Sequence, residues 1–215
     1  MGRQRPLIIQ GMTPGVCDIA IDIEALGEAV DPAALFGNDR PTELEIGCGK
    51  GGFLLRAARA HPERNFLAIE WANKYYKYAV DRMRRWGIEN VRITRTDARH
   101  FVVHRLPDAC LSAVHVYHPD PWPKKRHHKR RLFQKDFAEA VVRVLIPGGR
   151  LSVQTDHAAY FEQVSEVLKA RAEMVEAPFE ADDSAGESNA PETNFEIKYR
   201  RQGRSIYRLA FVRQS

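Results

Sequence analysis

Apolar positions along the chain fall into short runs that alternate between two periods. Residues 42–46, 65–69, 91–95, 113–117 and 150–154 are brief apolar runs with the length of strands. Between and after them, residues 53–59, 72–86, 131–145 and 158–171 carry apolar side chains at helical spacing. Within 72–86, Tyr75, Ala79, Met83 and Trp86 form a stripe that predicts a face packed into the core, with Gly87 as the stop. Five strands alternating with helices predict an α/β fold, with a mostly parallel sheet covered on both faces. A strand-like run at 18–23 and a β-rich run at 205–212 bring the expected sheet to seven strands.

The remaining stretches set the boundaries. Asp31-Pro32-Ala33-Ala34-Leu35-Phe36, followed by Gly37, predicts a capped helical turn inside an N-terminal arm, residues 1–42. Residues 43–215 are then one domain, large enough to bury a sizeable core. Residues 180–192 are acidic, small and polar, which predicts a mobile loop.

In parallel sheets of this kind, ligands bind beyond the carboxyl ends of the strands. Glu70, Asp97, Asp120 and Asp156 follow four of those ends, and Glu45 lies within the end of the first strand. After that strand comes Gly47-Cys48-Gly49-Lys50-Gly51-Gly52, whose Gly-x-Gly-x-x-Gly spacing fits a dinucleotide fingerprint with Glu70 as the ribose ligand. Glu45 argues against that ligand, because a carboxylate two residues before the loop repels a pyrophosphate that the helix N-terminus would otherwise attract. S-adenosylmethionine brings an ammonium and a sulfonium instead. Glu70 offers two oxygens to ribose hydroxyls, and Asp97 with the backbone of Ala98 can meet the adenine. The acidic ring therefore suits a cationic methyl donor.

Charge sharpens the picture. The 215-residue chain has a net charge of +5, yet Lys124-Lys125-Arg126-His127-His128-Lys129-Arg130-Arg131 alone carries six formal positive charges, so the rest is close to neutral. Basicity gathered at one place favours a dedicated anionic partner. It follows Pro119-Asp120-Pro121-Trp122-Pro123, where three prolines fix a carboxylate and an indole at a strand end. That pairing fits methylation of a planar base, with the cations holding phosphates. Guanine N7 needs no proton removed, and Asp120 would stabilise the cationic product; an exocyclic amine of RNA or DNA would use the same acid differently. A non-catalytic RNA-binding module would need the basic run but not Glu45, Glu70 and Asp97 together.

Three cysteines, Cys17, Cys48 and Cys110, lie in no ligand-like spacing, and no set of ligands completes a metal site around His100 and His104. No metal is expected. The absence of a membrane-length apolar run and of a leader pattern points to the cytoplasm.

The motifs together resemble the bacterial tRNA (guanine-N7-)-methyltransferase family, from about Leu35 onward. The resemblance rests on Leu44-Glu45-Ile46-Gly47-Cys48-Gly49-Lys50-Gly51, Ile69-Glu70, Thr96-Asp97-Ala98, the run from Pro119 to Leu132, Thr155-Asp156, and Thr193-Asn194-Phe195-Glu196 with Gly203-Arg204-Ser205-Ile206-Tyr207. It implies a Rossmann-like class I S-adenosylmethionine methyltransferase fold and 7-methylguanosine formation in the tRNA variable loop, at position 46 of the tRNA. Cofactor contacts would fall on Glu45, Gly47, Gly49, Glu70, Asp97, Ala98 and Asp120, with Asp120 nearest the chemistry and S-adenosylhomocysteine as the product. Substrate contacts would fall on Lys124, Asp156, Thr193, Asn194, Phe195 and Glu196. Arg126, His127, His128, Lys129, Arg130 and Arg131 would contact tRNA, with no obligate protein partner. Two departures stand out: Tyr117-His118 precedes the Pro-Asp-Pro where two apolar or aromatic residues are usual, and Ile197-Lys198-Tyr199-Arg200-Arg201 lengthens the link after Glu196.

Overall fold

A computed structural model describes residues 18–180 and 205–215. Its sheet contains β1 (Ala20–Ile21), β2 (Thr42–Ile46), β3 (Asn65–Ile69), β4 (Val91–Thr94), β5 (Leu111–Tyr117), β6 (Leu145–Thr155), β7 (Met174–Ala177) and β8 (Tyr207–Arg213). The spatial order is β1-β4-β3-β2-β5-β6-β8-β7. The first six strands are parallel, and β8 runs antiparallel between β6 and β7. Eight strands thus replace the seven expected. The additional one is β7, whose four residues, Met174-Val175-Glu176-Ala177, are too few to show a two-residue period. The edge strand β1 is shorter than 18–23 because Ile23–Leu26 turns into a 3₁₀ segment.

The helices are α1 (Pro32–Phe36), α2 (Gly52–Ala60), α3 (Asn73–Arg85), α4 (Ala98–His100), α5 (Lys135–Val144) and α6 (Ala158–Lys169), with a π-helical turn at Phe101–Arg105. Every residue of β2, β3 and β4 is buried, as strands covered on both faces must be. On one face Leu44, Val114, Val116 and Leu151 pack against Phe137 and Val141 of α5 and Val164 and Leu168 of α6. On the other, Phe66, Ala68 and Ile93 pack against Leu54 and Ala58 of α2 and Ala79, Val80 and Met83 of α3. Ile23, Val30, Leu35 and Phe36, from the segment expected as an arm, are buried in the first of these layers. Among the described residues no helix is long and apolar enough to cross a membrane.

Three sequence expectations need correction. Helix α5 starts four residues later than expected, because Arg131 to Gln134 anchor the preceding basic segment. Strand β6 begins at Leu145, opposite Leu111; pairing then breaks and resumes where Arg150 faces Ala113, so the Pro147-Gly148-Gly149 turn is a bulge within the strand. The stripe on α3 is core only in its middle. Ala79 and Met83 are buried against Gly51, where an added Cβ would meet Met83 Cε at 3.0 Å. Tyr75 and Trp86, a turn to either side of that contact, are 38% and 53% exposed.

Candidate active site

The site grows from the turn between β2 and α2. Gly47, Gly49 and Gly51 all have positive φ (77°, 54° and 66°), so a tight loop can double back at the strand end, where side chains would be strained. Glu70, just past β3, fixes that loop. Its Oε2 accepts the Gly49 N–H at 2.8 Å and its Oε1 accepts the Ala72 N–H at 2.7 Å, while Gly47 N–H donates to the Ile69 carbonyl at 2.8 Å. The carboxylate expected to hold a ribose is therefore also the brace of the glycine loop. Each oxygen keeps further acceptor capacity. Asp97 has a similar double position: its Oδ1 caps α4 through the His100 N–H at 2.8 Å while it lines the same cavity. Cys48 is buried, and burial holds its thiol well above the ordinary range, so it is an inert packing group.

Glu45 differs. It is buried at the carboxyl end of β2, and its Oε2 has no hydrogen-bond partner. Burial pushes its pKa up to about 8, against the pull of the Arg56 guanidinium, and Glu70 adds to the rise. A buried carboxyl oxygen without a partner is expensive unless a cationic ligand completes it. It lines a cavity of ≈ 1420 Å³ that opens over the strand ends. Glu45, Gly47, Gly49 and Glu70 form one part of that cavity wall, and Asp97, Ala98 and Asp120 another. Lys124, Arg126, His127, His128, Lys129 and Asp156 are not in its wall. Thr193, Asn194, Phe195 and Glu196, and the acidic loop beyond Glu180, lie outside the described residues.

The opposite wall is the turn after β5. His118 and Trp122 are non-glycine residues with positive φ, 53° and 41°, a conformation that costs about 1–3 kcal/mol each. Surrounding contacts hold it. His118 N–H donates to the Gln154 carbonyl at 2.8 Å. Arg131 Nε donates to the Pro121 carbonyl at 2.8 Å, its other nitrogen reaches Gln163 Oε1 at 2.6 Å, and its guanidinium lies 5.0 Å from the Tyr160 ring centre. Arg131 is only 2% exposed. Its expected part as an RNA contact is therefore corrected: it is a buried tie between the Asp120 turn and α6. Sequence position could not separate it from its neighbours, because the tie is made with residues some thirty positions away. Lys124, Lys125, Arg126, Lys129 and Arg130 remain exposed on a 3₁₀ segment at Lys125–Arg130. Arg130 lies 5.0 Å over the Trp122 ring and His127 meets it edge-on at 5.8 Å, so one indole face is already covered. Asp120 stands exposed at the cavity rim.

A buried polar chain behind this wall escaped the sequence reading. Arg64 donates to Glu43 Oε1 at 2.8 Å, Glu43 Oε2 pairs with His115 Nε2 at 2.9 Å, and His115 Nδ1 pairs with the Tyr117 hydroxyl at 3.0 Å. Burial pushes the Glu43 pKa up, but His115 and Arg64 outweigh it and hold the carboxyl below its ordinary range. The imidazole thus bridges the Glu43 carboxyl and the Tyr117 hydroxyl through its two ring nitrogens. Tyr117 forms part of the cavity wall and packs on Phe53 at 5.1 Å. The signal was present as one charged and one titratable residue on neighbouring strands otherwise read as apolar. Arg56, Trp71, Tyr75, Arg82 and Trp86 also line the cavity and were not singled out as site residues.

Comparisons with known proteins converge on one description. A family model described as "Putative methyltransferase" matches residues 39–209. The tRNA (guanine-N(7)-)-methyltransferase of Geobacter metallireducens is 44% identical over 67% of this chain and 69% of that protein. That of Halorhodospira halophila is 34% identical over 98% of this chain and 88% of its own length. Among solved structures, the aminoglycoside resistance methyltransferase NpmB1 superposes with a TM-score of 0.54 at 17% identity, covering 81% of this chain and 87% of that one, which is a likeness of fold.

Proposed function

The chain belongs to the tRNA (guanine-N(7)-)-methyltransferase family, and we propose that it methylates N7 of a guanine in tRNA, in the variable loop at position 46 of the tRNA, in the cytoplasm and without an obligate protein partner. The observation that carries this reading is Glu45, a buried carboxyl with an unpartnered oxygen in the wall of the cavity that Asp120 rims. Those residues fit S-adenosylmethionine, which when bound supplies an electrophilic methyl group on a sulfonium.

Glu45 would meet its ammonium, Glu70 its ribose hydroxyls, and Asp97 with Ala98 its adenine. Gly47 and Gly49 leave room for close backbone approach. Asp120 lies where charge develops on the base: N7 has a free lone pair, so no base catalyst is required, and the product ring is cationic. A carboxylate at that point lowers the barrier electrostatically, while the rigid turn contributes by positioning. Lys124, Asp156, Thr193, Asn194, Phe195 and Glu196 would contact the guanosine, and Arg126, His127, His128, Lys129 and Arg130 the tRNA phosphates. Since the target must leave its stack to be reached, these contacts would also hold the opened RNA.

The test is transfer of labelled methyl from S-adenosylmethionine to unmodified bulk tRNA, followed by nucleoside analysis. Label in 7-methylguanosine is the expected result. Label in an N-methylated exocyclic amine would overturn the target atom, and no transfer together with no donor binding would leave an RNA-binding module.

A further inference from the structure

The cavity is larger than the reaction centre needs. Pockets for small ligands and cofactors occupy about 300–1,000 Å³, whereas this one measures ≈ 1420 Å³ and runs on past the glycine loop to Arg59, Tyr75, Arg82 and Trp86. That extension is the groove between α2 and α3. The two helices meet at the close contact of Gly51 with Ala79 and Met83. Tyr75 of α3 and Trp86 at its C-terminal end line it, 38% and 53% exposed, and Tyr78, between them in sequence, is 45% exposed. Large rings left open beside the cavity mark an interaction surface.

Two of these rings carry a cation. The Arg59 guanidinium lies 5.0 Å over Trp86, and Lys50 Nζ lies 5.7 Å over Tyr78. Arg82 donates to the Lys50 carbonyl at 3.2 Å and so ties α3 to the loop. Of the cations on α3, Arg82 lines the groove, while Arg84 pairs with Asp18 at 2.6 Å and Arg85 with Asp81 at 2.9 Å; Lys50, Arg56 and Arg59 add charge to its wall. Rings interleaved with cations are what a nucleic-acid strand requires: bases stack on the rings and phosphates meet the cations. The groove is continuous with the cavity that holds Asp120, so its occupant is part of whatever enters the active site. It also lies over β3 and β4, on the other side of β2 from the β5 turn and its basic segment.

We infer that the α2–α3 groove is a second docking surface for the tRNA substrate, so that two cationic arms grip the RNA from opposite sides of the strand ends. This rests on the tRNA reading above.

The test compares wild type with Trp86→Ala, Arg59→Glu and Tyr75→Ala, none of them in the methyl-transfer machinery, using unmodified tRNA and, separately, S-adenosylhomocysteine. The expected result is a roughly tenfold rise in KM and Kd for tRNA with Trp86→Ala, in line with loss of one stacking contact. The salt dependence should be shallower by about one released counterion for Arg59→Glu. In each variant kcat at saturating tRNA and cofactor affinity stay within about twofold of wild type. Unchanged tRNA affinity in all three, with cofactor binding intact, would overturn the inference while leaving the methyltransferase reading standing. A dimer by sedimentation that Trp86→Ala dissolves would also overturn it, because a second copy would then cover the groove. Loss of cofactor binding in one variant marks a folding defect, and the other two then decide. A wild-type protein that neither binds nor methylates tRNA is the failure of the reading beneath, not of the groove.

Discussion

The two walls of the cavity are built by different means. The wall at β2 and β3 is made by the chain close to itself: a glycine loop whose Gly49 N–H donates to the carboxylate of a glutamate twenty-one residues on. The wall after β5 is a turn with two residues in left-handed conformation, held by an arginine that reaches α6. The first wall is preformed wherever the β2–α2–β3 unit folds. The second exists only when α6 is in place. Cofactor binding and base methylation should therefore be separable by mutation, and the separation can be tested from its largest effect downward.

Asp120→Ala should have the largest effect. It removes charge from the exposed rim without touching a hydrogen bond of the first wall, so kcat should fall by about a hundredfold or more while circular dichroism remains that of wild type. Wild-type turnover would remove Asp120 from the chemistry. Arg131→Met should come next. It deletes the tie to Pro121 and Gln163, costing about 2–3 kcal/mol in urea unfolding. Methylation should drop by tenfold or more, while affinity for S-adenosylhomocysteine stays within about threefold. Equal losses in both would show that the two walls are one unit.

The same contrast explains what could be read from the sequence. The parallel sheet, the glycine loop and the ring of strand-end acids were legible because each is local: a period, a spacing, a residue after a strand. Glu45, Gly47, Gly49, Glu70, Asp97, Ala98 and Asp120 come together as their places at strand ends require. Arg131 was misassigned because burial is set by Tyr160 and Gln163, on a helix that sequence neighbours do not reveal. Tyr75 and Trp86 were misplaced for a related reason. Helical spacing says which residues share a face, not how far along that face the core extends, and the Gly51 contact consumes only its middle. Strand β7 was missed because four residues at a sheet edge are too short a run to show strand alternation.

Glu45→Gln sharpens the comparison within the first wall. With its pKa near 8, Glu45 is protonated in the empty protein at neutral pH. An ammonium ligand needs the carboxylate, so binding should release a proton, and affinity for S-adenosylhomocysteine should rise as pH goes from 6 to 8. Glu45→Gln should bind about tenfold more weakly at pH 8 and lose that pH dependence. Calorimetry in buffers of different ionisation enthalpy would detect the proton. Equal proton release by the variant would mean that another group supplies it.

The smallest expected effect comes from a neighbour on the same face of the same strand. Glu43 and Glu45 are two residues apart, both buried, yet their carboxyls shift in opposite directions, because Glu43 is met by His115 and Arg64 and Glu45 Oε2 by nothing. The linkage signs follow. Glu43 binds its proton less tightly folded than unfolded, so its contribution to stability is present above about pH 4.5 and fades as pH falls through the lowered folded value. Glu45 holds its proton more tightly when folded, so ligand-free stability should fall as pH rises from about 4.5 to 8. Thermal unfolding of Glu43→Gln should lose part of the slope below about pH 4.5, and Glu45→Gln part of the decline between about pH 4.5 and 8, each worth a few degrees in Tm. If both variants changed the same side of the profile, partner and vacancy would not be what distinguishes these two glutamates, and Glu45 would have no call on a cation.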